Sequence, residues 1–243
     1  MRKKKVLIFV LTYKASFRVL DVYKEIPLNK LKQFNLEILL SDDCSNDDTV
    51  KFMKNIQKFN KNVKINVNKY NLKYGGHIKK CLNYAVRNKF DYSVMIHGDG
   101  QYSPKYIPKI ISKLLKGKAK FVCGSRMNKS ALSQMPFYKI IGNLILTKIF
   151  NLLFKQNFSD AHSGLWAYNI KYVKNVKFNS FTNGFNFDQE FRINNILLNN
   201  LIEEIPIKTR YGDERTQTHF IYSIKFFVLC IKIFLIKNKT LNR

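Results

Sequence analysis

Acidic residues are scarce in this chain: 16 Asp and Glu stand against 43 Lys and Arg in 243 residues, a formal charge of +27. A polyanionic neighbour is therefore expected, whether nucleic acid, anionic lipid or a phosphorylated substrate. The basic residues are spread over the whole chain, and Lys outnumbers Arg alongside abundant Asn and Ile, as an AT-rich genome would encode. Charge alone therefore assigns no function. Cysteine is sparse too. Cys44, Cys81, Cys123 and Cys230 stand far apart with no C-x-x-C pair, which excludes a zinc ribbon and a disulfide framework and fits a reducing cytoplasm. Glycine-rich phosphate loops are missing: the first apolar run leads into Leu11-Thr12-Tyr13-Lys14, so neither a G-x-G-x-x-G nor a G-x-x-x-x-G-K-[ST] motif follows it. The start, Arg2 to Lys5 before an apolar stretch of strand length, has no small-residue cleavage site and does not read as a signal peptide. There is no internal repeat and no low-complexity linker.

What is present suits one α/β domain with a modest appendage, since 46% apolar residues can fill one substantial core. Continuous apolar runs at 6–11, 37–40, 63–67, 92–96 and 121–123 have the character of buried parallel strands. Between them, segments at 18–34, 48–59, 76–88 and 104–115 carry helical spacing. This alternation predicts a mostly parallel sheet covered by helices. A second half follows, with a helix over 138–154, a strand at 165–168, a helix over 187–199 and a strand at 202–208. The tail at 220–236 is apolar but contains Lys225 and Lys232, so it reads as an interfacial helix and not a membrane span.

In an open parallel sheet, ligands bind beyond the carboxyl ends of the strands. Two acid-bearing clusters lie there. In Ser41-Asp42-Asp43-Cys44-Ser45-Asn46-Asp47-Asp48-Thr49, residues 46–49 suit a helix cap. Asp42 and Asp43 sit earlier, at the strand end, where carboxylates can accept hydrogen bonds from a nucleobase and from ribose hydroxyls. In His97-Gly98-Asp99-Gly100-Gln101, the acid, the imidazole and the amide oxygen are suitable ligands for a divalent ion, which would neutralise a diphosphate. Taken alone, Gly-Asp-Gly favours a tight turn. Arg126 follows Gly124-Ser125 at a strand end, where a guanidinium suits phosphate oxygens; Arg210 is as readily a solvated charge.

In order along the chain, these clusters resemble the family 2 glycosyltransferases, above all the branch similar to dolichyl-phosphate mannose synthase. Asp42 to Thr49 matches a D-D-x-S-x-D-x-T turn. Asn71-Leu72-Lys73-Tyr74-Gly75-Gly76 is similar to N-x-G-x-[GA], residues 97–101 to D-x-D-G-Q, and Gly124-Ser125-Arg126 to G-S-R. Residues 159–167 resemble D-x-x-[ST]-G-[FY]-[RK]-A, and 211–216 a late Y-x-x-E-x-S turn. The chain departs from the usual P-A-Y-N-E, keeping only Tyr13, and His97 replaces the first aspartate of D-x-D.

The resemblance implies a GT-A fold over 1–218, with 219–243 a basic amphipathic helix at a membrane interface. It implies inverting, metal-dependent transfer from a nucleoside-diphosphate sugar to a polyprenyl phosphate or a glycan hydroxyl. Tyr13, Asp42, Asp43, Gly75, Gly76 and Asp99 would bind the donor. Asp99 and Gln101, with His97 as a third ligand, would hold Mg2+ or Mn2+. Asp188 or Glu190 would serve as base for a hydroxyl acceptor, and Arg126 would contact an acceptor or diphosphate oxygen. The expected setting is the cytoplasm, at the inner face of an anionic membrane, in envelope glycan synthesis with no nucleic-acid partner. The substitutions at 15 and 97 leave an inactive transferase-like protein as one alternative, and the charge leaves a nucleic-acid-binding module as another.

Overall fold

The computed structural model describes residues 2–132 and 135–211, together with 228, 230 and 231. The expected turn beyond Tyr211, and nearly all of the expected tail helix, lie outside the described residues. Among the described residues, the strands are β1 (Lys5–Thr12), β2 (Asn35–Asp42), β3 (Val63–Val67), β4 (Tyr92–His97), β5 (Phe121–Ser125), β6 (Trp166–Asn169) and β7 (Ile202–Pro206). They form one sheet in the order β3-β2-β1-β4-β6-β5-β7. All neighbours pair in parallel except β6, which runs antiparallel to both β4 and β5.

The central strand shows why the sequence there is apolar at every position. Leu7, Phe9 and Leu11 enter the core on one face of the sheet, and Val6, Ile8 and Val10 enter the core on the other. Helices cover both faces, so neither side of the strand meets water. The helices are α1 (Val19–Lys24), α2 (Thr49–Phe59), α3 (Lys73–Arg87), α4 (Ile107–Leu115), α5 (Lys129–Leu132), α6 (Phe137–Phe154), α7 (Ile170–Val173) and α8 (Phe187–Leu197). Val19, Met53 and Ile110 from α1, α2 and α4 fill the core beside Val6. Ile78, Phe150, Val173 and Phe191 from α3, α6, α7 and α8 fill the core beside Leu7.

Two elements differ from their expected form. The helix expected over 18–34 breaks into α1 and a 3-10 turn at Leu28–Leu31, because Pro27 cannot donate and disfavours helical backbone at Ile26 before it. The helix expected from 76 begins at Lys73, whose φ is 63° and whose amide donates to Asn71 Oδ1 at 2.8 Å. This earlier start places Tyr74 on the first turn of α3, facing the carboxyl edge of the sheet.

Candidate active site

Strand register assembles the site. Thr12 at the end of β1 lies opposite Asp42 at the end of β2, and Leu11 lies opposite His97 at the end of β4. Three separate motifs therefore meet along one carboxyl edge. A cavity lined by Arg2, Lys3, Asn35 and Asn62 opens at the other, amino end of β1 and β2, away from these groups.

The first two loops are clasped together. The Lys14 amide donates to Ser45 Oγ at 2.7 Å, the Ala15 amide to Thr49 Oγ1 at 2.9 Å, and the Ser16 amide to Asp47 Oδ2 at 3.4 Å. Ser45 Oγ in turn donates to Asp42 Oδ1 at 2.6 Å, while its amide donates to Asp42 Oδ2 at 2.8 Å. Asp42 is fully buried and also accepts from Thr12 Oγ1 at 3.2 Å. Both its oxygens thus accept hydrogen bonds inside the protein and hold the turn. Asp43 Oδ1 accepts from Asn68 Nδ2 and the Leu72 amide, each at 2.8 Å, tying the β2 turn to the approach of α3. Asp43 Oδ2 has no hydrogen-bond partner among the described residues. Tyr13 keeps 40% of its surface exposed at the mouth of this clasp. Behind it, His77 is buried with Nε2 2.8 Å from Ser41 Oγ. Burial brings its pKa down to about 4 against the opposing pull of Asp43 and Asp42, so the ring is neutral.

The third loop is a tight turn. Gly98 donates to Leu11 O at 2.7 Å, Asp99 Oδ1 accepts from the Gln101 amide at 2.9 Å, and Gly100 has a φ of +77° that glycine adopts freely. The His97 ring lies edge-on between two tyrosines, 5.7 Å from Tyr74 and 5.1 Å from Tyr102 between centroids. Its Nε2 is 3.4 Å from the Tyr74 hydroxyl. Burial lowers its pKa, although Asp99 pulls the other way.

Tyr74 donates its hydroxyl proton to Asp188 Oδ2 at 2.7 Å and stacks on Phe185 at 5.2 Å. Asp188 is buried on the first turn of α8, and that burial raises its pKa to about 7, with the Tyr74 hydrogen bond and the Arg192 charge pulling it back down. Glu190 is two residues along the same helix and faces elsewhere. Its Oε2 accepts from the Thr182 amide at 2.8 Å, beside Lys79, which binds Phe181 O and Asn183 Oδ1. Of the two candidate bases, the structure brings Asp188 to the His97 loop and uses Glu190 to brace the 181–184 segment. Gly75 is required by that same segment: a Cβ there would lie 2.5 Å from Thr182 O and 2.8 Å from Phe187 Cβ. Its bare side therefore packs against protein. A Cβ on Gly76 would lie 3.1 Å from Leu72 Cβ and 3.3 Å from Asn183 Cγ, so it also sits against protein atoms.

Arg126 is already engaged. Its Nε and Nη2 donate to Asp160 Oδ2 and Oδ1 at 2.7 and 2.9 Å, and its amide donates to Oδ2 at 2.9 Å. Asp160 is fully buried, and burial alone would raise its pKa; the Arg126 charge and hydrogen bonds, with Asn143, overcome that and hold it well below the usual carboxylate range. Arg126 and Asp160 thus form a bidentate pair beside the end of β5. Arg210 pairs with Glu25 at 2.7 Å near the surface, while its amide donates to Gln101 O at 3.0 Å, so it braces the third loop from outside.

Sequence reasoning overlooked Tyr74, Tyr102 and Arg192. Tyr102 accepts the Gly164 amide at 3.1 Å, joining the third loop to the segment before β6. Arg192 is fully buried, its guanidinium 4.6 Å from the Trp166 ring and 4.8 Å from Phe158. Tyr74 carried one local signal, its place directly before Gly75-Gly76; Arg192 carried none.

For a divalent cation, the donor set is sparse. Among the described residues, no three His, Cys, Asp or Glu side chains gather into a metal-binding group. Asp99 and Gln101 fit an ion that takes one carboxylate from the protein and its remaining ligands from water and substrate phosphates, as Mg2+ commonly does. The His97 ring, held between tyrosines, is turned toward Tyr74.

This sheet order, with one reversed strand and acid-bearing loops at the carboxyl edge, defines a GT-A glycosyltransferase fold. Mannosyl-3-phosphoglycerate synthase from Rubrobacter xylanophilus shares it with a TM-score of 0.69 at 13% identity, over 99% of this chain and 76% of that one. So does the mannosyltransferase PcManGT from Pyrobaculum calidifontis, solved with GDP-Man and Mn2+, with a TM-score of 0.59 at 14% identity. That match covers 89% of this chain and 59% of that one, so the chain spans about three fifths of its length. The profile of glycosyl transferase family 2 matches residues 10–177, and the chain belongs to that family. A UDP-N-acetylglucosamine–dolichyl-phosphate N-acetylglucosaminyltransferase from Methanococcus voltae is 28% identical over 227 residues, covering 82% of this chain and 87% of the relative.

Proposed function

We propose that the protein transfers a sugar from a nucleoside-diphosphate sugar to an acceptor hydroxyl, with inversion at the anomeric carbon and Asp188 as general base. Asp188 itself carries this reading. It is buried beside the 97–101 loop, held by Tyr74, with a pKa brought up to about 7, where a base balances availability against strength at neutral pH. As the acceptor oxygen bonds to the anomeric carbon, the bond to the diphosphate breaks and the hydroxyl proton passes to Asp188. Tyr13 offers its exposed ring to the nucleobase, and Asp43 offers Oδ2 to the base or ribose. Asp99 and Gln101 would hold Mg2+ or Mn2+, which when bound neutralises the leaving diphosphate. The Mn2+ and GDP-Man bound by the Pyrobaculum calidifontis neighbour support that assignment. Arg126 and Glu190 build the walls without touching substrate.

A second acceptor, a polyprenyl phosphate at the inner face of a membrane, is supported by the dolichyl phosphate named for the Methanococcus voltae relative. Such an acceptor is already anionic and needs no base. The test is a panel of UDP- and GDP-sugars with Mg2+ or Mn2+, assayed on both acceptor classes with wild type, Asp188→Asn and Asp99→Ala. Loss of hydroxyl transfer in Asp188→Asn supports the first reading, and transfer to polyprenyl phosphate that survives it supports the second. Asp99→Ala should abolish both reactions, and full activity there would refute the metal assignment. No turnover with any donor would refute the enzyme reading.

A further inference from the structure

Helix α6 is amphipathic in the reverse sense. Its buried positions are Asn143, Thr147, Phe150 and Phe154, one stripe at helical spacing. The two polar members bind protein: Asn143 Nδ2 donates to Asp160 Oδ1 at 2.8 Å, and Thr147 Oγ1 accepts the Ala161 amide at 3.1 Å. The opposite stripe, which faces water, is the more apolar. It carries Phe137, Ile141, Leu144, Ile145 and Leu152, with exposures from 42% to 81%. Lys148 lies in the middle of it. The helix has a mean hydropathy of 1.4, yet only 22% of it is buried, and at about 1.5 Å per residue it is about 27 Å long. Because its polar stripe is bonded to the 160–161 segment, it cannot leave the protein to span a bilayer; its apolar stripe can only be covered from outside.

Charge selects the cover. Helix α6 and its C-cap carry Lys139, Lys148 and Lys155 and no Asp or Glu. A second copy of the chain would bring the same sign of charge against this region, and a neutral apolar partner would leave the charge unused. We propose that the outer face of α6 docks on an anionic lipid bilayer, lying in the interfacial plane with Phe137, Leu144 and Leu152 inserted and Lys148 reaching outward to headgroups. Apolar burial and cationic attraction together are what bind such helices at interfaces, and a lysine among apolar neighbours extends its ammonium to the headgroup layer. The inner stripe of α6 leads through Asp160 and Ala161 to Gln189, whose Nε2 donates to Ala161 O at 2.9 Å, one residue from Asp188. Docking would therefore bring the acceptor side of the site to the lipid surface. This rests on the proposed transfer only for its use, not for its test, which reads membrane binding and not turnover.

The test is co-sedimentation of the full chain with phosphatidylcholine vesicles, with and without phosphatidylglycerol. Wild type should sediment with the anionic vesicles and much less with the neutral ones. The double variant Leu144→Glu/Leu152→Glu changes only exposed positions, so it should keep its circular dichroism spectrum and nucleotide-sugar binding while its vesicle affinity falls about tenfold or more. Lys148→Glu should weaken binding to anionic vesicles alone. Failure of wild type to sediment would overturn the proposal, as would undiminished binding of the double variant. So would a dimer in analytical ultracentrifugation that the double variant dissolves without any vesicle binding.

Discussion

Replacing Asp188 with Asn should inactivate transfer to a hydroxyl and, at neutral pH, make the protein more stable. The side chain is buried, and burial lifts its pKa from the usual 3.8 to about 7. Below about pH 4 the carboxyl is protonated whether the chain is folded or not, and it costs nothing. As the pH rises from about 4 to about 7, the unfolded chain ionises there while the folded protein does not, so stability is lost progressively across that window and levels off above it. At about 1.4 kcal/mol per tenfold in proton affinity, the gap amounts to about 4 kcal/mol. Asn is isosteric and keeps an oxygen to accept the Tyr74 hydroxyl, so the variant escapes this loss without leaving a void. Urea unfolding of both proteins at pH 4 and pH 8 measures the effect: the midpoints should nearly coincide at pH 4, and the variant should lead at pH 8. For a domain of this size, the difference at pH 8 corresponds to a melting temperature higher by about 8–16 °C. A difference that does not grow with pH would refute the buried, proton-hungry Asp188 and with it the assignment of the base.

Tyr74→Phe removes the hydrogen bond that favours ionised Asp188, so the acidic limb of the pH–rate profile should move up by about one to two pH units, with activity recovered at alkaline pH and donor KM unchanged; an unmoved limb counts against Tyr74 as a positioning residue. Asp160→Asn leaves the Arg126 guanidinium buried against a neutral partner and should cost about 3–5 kcal/mol in denaturant unfolding. Gly75→Ala places a methyl group 2.5 Å from Thr182 O and should destabilise by about 1–3 kcal/mol, read as a lower melting temperature.

The strands were legible because β1, β2 and β4 are buried on both faces, which writes an unbroken apolar run into the sequence. Their ends were legible for the same reason, since polar residues that interrupt such runs fall at the carboxyl edge of the sheet. What each polar atom does there was not legible. Asp42 and Asp43 are neighbours of one type, yet one bonds within the turn to Ser45 and back to Thr12 while the other binds across to Asn68 and Leu72. Arg126 lies in a motif that suggests phosphate, but its partner Asp160 is 34 residues away. Tyr74 and Asp188 are 114 residues apart, and only the folded chain makes them one unit. The choice between Asp188 and Glu190 turned on which side of α8 each faces relative to α3, a question of tertiary packing and not of pattern.

The clasp between residues 14–16 and the 45–49 turn has a consequence for how the donor is received. Loops that must be ordered by a ligand subtract that ordering entropy from its affinity. Here three backbone amides of one loop are already bonded to side chains of the other, and Ser45 passes the restraint on to Asp42 at the end of β2. The edge proposed to receive the nucleotide is therefore set before anything binds. A donor meeting it should associate with little rearrangement of this edge, and its selectivity should resemble that of a rigid template, rejecting a misfitting base outright instead of moulding to it.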